Sequence, residues 1–437
     1  MSLRTFLDQA RVSGDLVTIK KPVSTEFELA NVAHALDSRV VLFNQVKGYP
    51  GWRVTAGPCS NRKYFSMALG VPVEGLLSRL ASSLKAPSPP PVLADGPCQE
   101  NIINDVNLND LPILLHLPQD AGHYVASNVV IIRDPELGRN MCYHRLLRLD
   151  EKRFAVRIVE NRGTWNALQK TGGELPVAIC IGVSLQTHLA ASMSPPPGVD
   201  ELSIAHALGP TPLVKCLTND LEVPAEAEIV LEGRIRHQFT DEGPFMDLTE
   251  TMDIVRQQPI IEIDIISHRY NPIYHALLPG GLEHKLLMGM PREPTIFAEV
   301  NKVARCTGAV ITPGGASWLH AVVQIDKQDP DDGRKAVEAA FRGHGSLKHV
   351  WVVDTDIDIY DPLSVQWAMA TRFQADRDAM IFTDQPGSSL DPSGTHEPGK
   401  KSRTAKVGFD CTIPWGADRD KFVKGRYGQV DLNDYLT

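Results

Sequence analysis

Near the amino terminus the apolar positions Leu3, Phe6, Leu7 and Ala10 recur at i, i+3, i+4 and i+7, and Gly14 stops the run. That spacing predicts an amphipathic helix. A mixed α/β segment follows, and the stiff stretch Ala86-Pro87-Ser88-Pro89-Pro90-Pro91 reads as a connector, so a first domain is expected to end near residue 110. From about 125 to 270 the pattern changes to short β-branched runs broken by Gly, Pro and Asn. They begin at Asn128, Phe154, Val177, Glu228 and Ile260, and they predict the strands of a β-barrel or sandwich. Helical insertions are expected around Thr164 to Lys170 and Glu201 to Leu208. After about residue 295 the order becomes helix (Arg334 to Phe341), buried strand (from Val350) and helix (Ser364 to Arg372), an α/β pattern. The Pro-, Gly- and Ser-rich segment from Gln385 to Lys401 reads as a long loop, mobile or lid-forming.

Composition narrows the function classes. The chain has 437 residues, 43% hydrophobic and 22% charged, enough for two or three domains of roughly 150 residues. With 44 Lys+Arg against 53 Asp+Glu the net charge is −9, and no dense basic stripe is present, so nucleic acid is not an expected partner. The longest apolar run, Val177 to Leu185, is about half of the roughly 20 residues a membrane helix needs, and the amino terminus lacks a signal-peptide layout. A cytoplasmic protein with no membrane contact is expected. Seven scattered cysteines without Cys-x-x-Cys spacing read as free thiols.

Two familiar motifs are approached and missed. Gly394-x-x-x-x-Gly399-Lys400 lacks the metal-binding Ser/Thr of a phosphate loop, because Lys401 stands there and Pro398 interrupts the turn. Asp354-x-Asp356-x-Asp358 lacks the Gly and Glu of a calcium loop, having Ile359 and Val365 instead, and reads as strand-end acids that are solvated or cap a helix.

Three segments carry more chemistry. Asp241-Glu242-Gly243-Pro244-Phe245-Met246-Asp247 places two acids five apart, on opposite faces of an ideal strand, but Gly243-Pro244 can turn the chain and re-aim both. Asn140 to Arg145, with Arg157-Ile158-Val159 and Arg162-Gly163, combines a neutral oxygen ligand, guanidinium forks and a Gly permitting close backbone approach. Asn140 and Arg145 are an odd number apart, so a bulge or a group reaching round the strand end is needed for them to serve one site. Ala190 to Glu201 offers hard oxygen donors suited to Mn²⁺, Mg²⁺ or K⁺.

In this order, and with the strings Asn219-Asp220-Leu221-x-Val223-Pro224-Ala225, Glu228 to Gly233, Glu242-Gly243-Pro244-Phe245-x-Asp247 and Asp356-Ile357-Asp358-x-x-Asp361, the chain resembles the UbiD family of prenylated-FMN-dependent reversible decarboxylases. The likeness runs from the first helix through Lys406. It implies an α+β multidomain fold: an N-terminal α/β domain (1–110), a central split β-barrel that binds the flavin (111–295), and a C-terminal α/β domain with an oligomerisation tail (296–437), assembled as a homodimer or homohexamer.

The resemblance also implies roles. Arg145, Glu242 and Asp247 match the catalytic network, with Asp247 where some members carry Glu. Tyr143, His144, Arg145, Arg157, Ile158, Val159, Arg162, Gly163 and Lys406 match cofactor-contacting positions. Asn140 and Glu201 match ligands of Mn²⁺ (or Mg²⁺), and Ala190, Ala191 and Met193 with Glu201 match a K⁺ site. Some members place a metal-binding His where this chain has Gly163. The implied reaction is non-oxidative decarboxylation of an unsaturated, aromatic or heteroaromatic acid through a covalent adduct with the flavin, a cycloadduct for acrylic-type acids or a mono-adduct for hydroxylated rings, followed by protonation from an acid. A flavin prenyltransferase would supply the cofactor. His284, in the segment from Leu278 to Lys285, is expected at the substrate pocket, where it could bond a ring hydroxyl, and a hydroxybenzoate-type acid is the expected substrate. The alternatives are a carboxylase, or a subunit of a multi-component one, and a non-catalytic flavin-binding protein.

Overall fold

The computed structural model of the chain describes every residue except 398, 399, 426, 429, 432–434, 436 and 437. Pro398 and Gly399 of the near-miss phosphate loop, and part of the expected oligomerisation tail, therefore lie outside the described residues. Two compact units are present. One comprises Met1–Thr295, Ile311–His320 and Ser388–Ser393, the other Ile296–Val310, Ala321–Gly387 and Gly394–Thr437.

The first unit begins with the expected helix, Leu3–Val12, whose Leu3, Phe6, Leu7 and Ala10 are all buried and whose entry is capped by Ser2 accepting from Thr5 N. Strands Leu16–Ile19, Val40–Phe43, Arg53–Ala56 and Ile273–His275 form a four-stranded sheet in that order.

The centre is a nine-stranded sheet whose pairings are all antiparallel. Its strands in chain order are β1 (Asn101–Ile103), β2 (Tyr124–Val125), β3 (Val129–Asp134), β4 (Gly138–Tyr143), β5 (Leu146–Arg148), β6 (Arg153–Val156), β7 (Glu174–Ile181), β8 (Ile229–Glu242) and β9 (Arg256–His268). The spatial order is β2-β5-β6-β9-β8-β7-β3-β4, with β1 pairing to β9. Strands β4 and β5 thus stand six places apart in the sheet, yet only His144 and Arg145 separate them in the chain. In a flat sheet six spacings would amount to about 29 Å. Three peptide steps reach about 11 Å at most. The sheet must therefore curl until its two ends meet. No ladder joins β4 to β5 among the described residues, so the barrel is split along a seam that His144 and Arg145 cross.

Both expected insertions are helices, Gly163–Lys170 and Glu201–Leu208. The core is apolar, with Val130, Ile132, Phe154, Ile179, Leu231 and Ile261 fully excluded from water. Among the described residues no helix is long and apolar enough to cross a membrane.

The second unit has a five-stranded sheet in the order Cys306–Ile311, His320–Ile325, His349–Asp354, Arg403–Asp410, Ala379–Pro386, with helices Asp332–Gly343 and Pro362–Arg372. Here the reading of strand-end acids needs correction. Asp354 is buried, not solvated. It accepts from Arg372 Nη1 (2.7 Å) and Ile413 N (2.7 Å), while Asp356 accepts from the same fully buried guanidinium at 2.6 and 3.0 Å. In this stretch it is Asp361 that caps a helix, accepting from Leu363 N. Of the expected loop, Gln385 and Pro386 belong to a strand instead.

Candidate active site at the barrel seam

Arg145 sits where the chain has left β4 and not yet entered β5, so its side chain is released from strand alternation. The ladder of β4 is regular, so no bulge is present, and the alternation that governs Asn140 does not extend to Arg145. Arg145 Nε donates to Glu242 Oε1 (2.8 Å), Nη2 to Glu242 Oε2 (3.0 Å), and Nη1 to Asp247 Oδ2 (3.2 Å). The two acids do converge, because β8 ends at Glu242 and the chain turns at Gly243. That residue has φ +96°, and a Cβ there would lie 2.8 Å from the Ile254 carbonyl oxygen, so only glycine fits.

Two partners escaped sequence reasoning. Asp253, on the short strand facing Phe245–Met246, accepts from Arg145 Nη2 (2.9 Å) and from Arg256 (2.6 Å). Tyr124 donates to Glu242 Oε1 (3.1 Å) and accepts from Gly243 N (3.1 Å). Burial alone would lower the Arg145 pKa, but the hydrogen bond and charge of Glu242, with Asp247 and Asp253, raise it. Burial works against ionised Asp253, yet Arg256 and Arg145 hold its pKa below the usual carboxylate range. Phe245 lies 5.3 Å from the guanidinium and covers one face of it. Glu242 is fully buried, whereas the Asp247 side chain is 23% exposed.

His284 is in the first turn of helix Leu282–Gly289, partly buried, with Nδ1 accepting from Gly280 N (3.1 Å). Burial lowers its pKa, with Asp247 opposing and Arg145 reinforcing the shift, which places it beside the acid–arginine cluster.

On β4, Arg139 is paired with Asp200 (3.1 Å from Nε), and Asp200 caps helix Glu201–Leu208 by accepting from Leu202 N. This clamp sets Glu201 against the strand. Glu201 accepts from Met141 N (2.9 Å) and Asn140 Nδ2 (3.1 Å). Burial pushes its pKa up to about 7, so a cation there would be welcome. Gly163 faces the side-chain amide oxygen Oδ1 of Asn140, 3.1 Å from where a Cβ would stand. Among the described residues no three His, Cys, Asp or Glu side chains gather in metal-binding geometry, so a divalent ion here would need ligands beyond Asn140 and Glu201. Ala190 and Ala191 close the last turn of helix Leu185–Ser192, at its carbonyl end, and Met193 N donates back to Ala190 O.

The cofactor-matching stretch lines the same seam. Tyr143 bonds His188, and His144 bonds the Arg157 carbonyl (2.9 Å) and Thr164 (2.9 Å). Burial pushes the His144 pKa down to about 4, so the ring is neutral. Asn128 Nδ2 donates to the His144 carbonyl while its Oδ1 is buried without a protein donor. The Arg157 guanidinium donates to the carbonyl of Ile158, which is fully buried, and Val159 is exposed beside it. Arg157 and Arg162 have no acid partner among the described residues. An unpaired buried acceptor with two guanidinium groups that no acid neutralises fits a polar, phosphate-bearing group. Lys406 belongs to the second unit, where it donates to the Gly345 carbonyl (2.7 Å) and burial pushes its pKa down to about 8.

Comparison with known proteins bears on this geometry. Models of the 3-octaprenyl-4-hydroxybenzoate carboxy-lyase N-terminal, Rift-related and C-terminal domains match residues 7–84, 92–282 and 285–411. The anhydromevalonate phosphate decarboxylase of Methanothermobacter thermautotrophicus is 39% identical over 97% of this chain and 99% of its own length. That of Methanocaldococcus jannaschii is 41% identical over 92% and 95%. Among solved structures, the UbiD-class enzyme HmfF from Pelotomaculum thermopropionicum in complex with FMN superposes with a TM-score of 0.95 at 37% identity, covering 100% of both chains. An evolved dimeric form of it with prFMN gives 0.90 at 36%, again covering 100% of both. The Klebsiella pneumoniae 3,4-dihydroxybenzoic acid decarboxylase gives 0.91 at 26%, covering 100% of this chain and 99% of its own. With all three domain models matched along nearly its whole length, the chain belongs to the UbiD family of carboxy-lyases.

Proposed function

We propose that this protein catalyses reversible, non-oxidative decarboxylation of an unsaturated carboxylic acid, with a prenylated flavin held in the barrel seam. The observation that carries the reading is Arg145 held between Glu242 and Asp247 at the seam. When bound, the flavin supplies the electron sink that amino-acid side chains lack. Tyr143, His144, Arg157 to Val159, Arg162 and Gly163 would hold it. Asn140 and Glu201 would hold a divalent cation, Mn²⁺ or Mg²⁺. Ala190, Ala191 and Met193 with Glu201 would hold K⁺.

The chain's own residues divide the remaining work. Arg145 orients the substrate carboxylate. Glu242, buried and doubly bonded to that guanidinium, fixes it in place. Asp247 has the longest bond to Arg145 and the more exposed carboxylate, so its Oδ2 can exchange partners and hand a proton to the carbon that loses carbon dioxide.

The hydroxybenzoate-type substrate expected from the sequence gains no support. The relatives named for a phosphorylated, non-aromatic acid are 39–41% identical, against 26% for the dihydroxybenzoic acid enzyme. We therefore favour a phosphorylated unsaturated acid over a hydroxylated ring. A panel of both kinds offered to enzyme loaded with prenylated flavin by a flavin prenyltransferase should show carboxyl isotope exchange with the former. No exchange with any unsaturated acid would overturn the reading.

A further inference from the structure

Helix Leu282–Gly289 continues through a 3₁₀ turn, Met290–Arg292. His284 and Arg292 stand eight positions apart on this segment, a spacing that returns side chains to one face. The axial rise between them is about 12 Å. The surroundings of Arg292 are unusual for an arginine in a net acidic chain. The adjacent acid, Glu293, is committed elsewhere, to Arg62 (3.0 Å from Nη1) and to Ile311 N (2.9 Å). Arg292 Nε is buried without an acceptor, and no acid pairs with the guanidinium among the described residues. The Trp318 ring lies 5.6 Å from the guanidinium. Burial and the charge of Arg162 push its pKa down to about 10. The loop facing this helix carries a second unsatisfied group. Ser317 is 1% exposed, its Oγ is buried with no partner, and it is held at φ +48° beside Gly289, where a Cβ would meet the Ser317 carbonyl oxygen at 2.5 Å.

A half-buried cation without an acid partner, its Nε shut off from water, and a buried hydroxyl without a partner are each costly, and an anion would relieve both. We propose that Arg292 and Ser317, with the charge of Arg162, form a second anion subsite that takes the remote phosphate or carboxylate group of the substrate. The proposal rests on the decarboxylase reading and deepens it. A substrate with its reacting carboxylate at Arg145 and a second anion some two helical turns away would be gripped at both ends. A hydroxylated ring would leave Arg292 uncompensated.

The test uses enzyme already loaded with flavin, so that the cofactor's own phosphate position is filled. Inorganic phosphate and acetate are titrated calorimetrically into wild type, Arg292→Met, Arg292→Lys and Ser317→Ala. Wild type should bind phosphate, Arg292→Met should lose at least tenfold, and Arg292→Lys should retain part of the affinity, with flavin content unchanged in all. Tighter binding of acetate than phosphate, with the same dependence on Arg292, assigns the subsite to a carboxylate. With a phosphorylated unsaturated acid Arg292→Met should raise KM at least tenfold, while exchange of an acid lacking the second anion stays as in wild type. Phosphate binding unchanged in Arg292→Met, or flavin lost from it, overturns the subsite. Should Arg292→Met fail to fold, Arg292→Lys and Ser317→Ala carry the same comparison. Failure of the decarboxylase reading is distinguishable, since wild type would then exchange carbon dioxide with no acid at all.

Discussion

Glu242→Gln isolates the part played by the buried acid. The carboxylate accepts three hydrogen bonds, two from Arg145 at 2.8 and 3.0 Å and one from Tyr124 at 3.1 Å. An amide keeps the shape but offers one acceptor oxygen, and its NH₂ would face a guanidinium or phenol donor. One charge-assisted bond is lost, about 1.5–3 kcal/mol. Arg145 is not stranded, because Asp247 and Asp253 still pair with it. The stability cost should therefore be about 2–3 kcal/mol, below the 3–5 kcal/mol typical when a buried charge loses its only partner. The effect on turnover should be larger. Arg145 would be drawn toward Asp247 and Asp253, which misplaces the substrate carboxylate and ties up the acid that exchanges the proton. General acid loss is worth about 10²–10⁴ in rate, so a drop of about 10³ is expected, about 4 kcal/mol of barrier. Flavin occupancy by absorbance should be unchanged, carboxyl isotope exchange nearly abolished, and the urea midpoint lowered. A loaded variant that exchanges within about threefold of wild type would remove Glu242 from the mechanism.

Other perturbations separate the remaining parts. Asp253→Asn should lower kcat by about tenfold, less than Asp247→Asn, because Asp253 steadies Arg145 but is itself shared with Arg256; equal losses in steady-state assays would show that it does more than steady. His144→Gln tests the neutral imidazole: its folded pKa of about 4 lies below the unfolded value near 6.5, so the folded state holds fewer protons in between and stability present above pH 6.5 is lost as pH falls toward 4. The variant should flatten that acid limb by up to about 1.4 kcal/mol per pH unit in urea titrations, and an unchanged slope would mean that the ring is not held neutral. Glu201→Gln should weaken Mn²⁺ binding to the flavin-loaded protein by at least tenfold in equilibrium dialysis, and unchanged affinity would move the metal elsewhere. Substrate binding should draw a proton from solvent, because two guanidinium groups, Arg145 and Arg256, already face three carboxylates before a further carboxylate arrives; calorimetry in buffers of different ionisation enthalpy reads this, and identical heats would refute it.

Much of the architecture is visible in the sequence wherever one local period decides. The helix at Leu3 follows from spacing that buries one face, and the strands from Val129, Glu174, Ile229 and Arg256 from β-branched runs, buried on both faces over much of their length and set off by turn residues. The curl of the sheet is not local. It follows from which strands pair, and only the pairing order shows that the two residues after Tyr143 bridge opposite ends of the barrel. That is why strand alternation counted from Asn140 does not govern Arg145.

Acid–base partners show the same boundary. Glu242 and Asp247 could be paired on paper because a Gly-Pro turn lies between them, whereas Asp253 and Tyr124 reach the same arginine from strands whose approach no spacing encodes. Arg292 is the converse case. Beside Glu293 it reads as half of an ordinary ion pair, and it becomes informative only because Arg62, more than two hundred residues earlier, has already taken that acid. An unpaired charge is defined by what every neighbour is doing, so the residues that set substrate preference are those least legible from the chain alone, while residues that serve the shared chemistry are repeated in strings long enough to recognise.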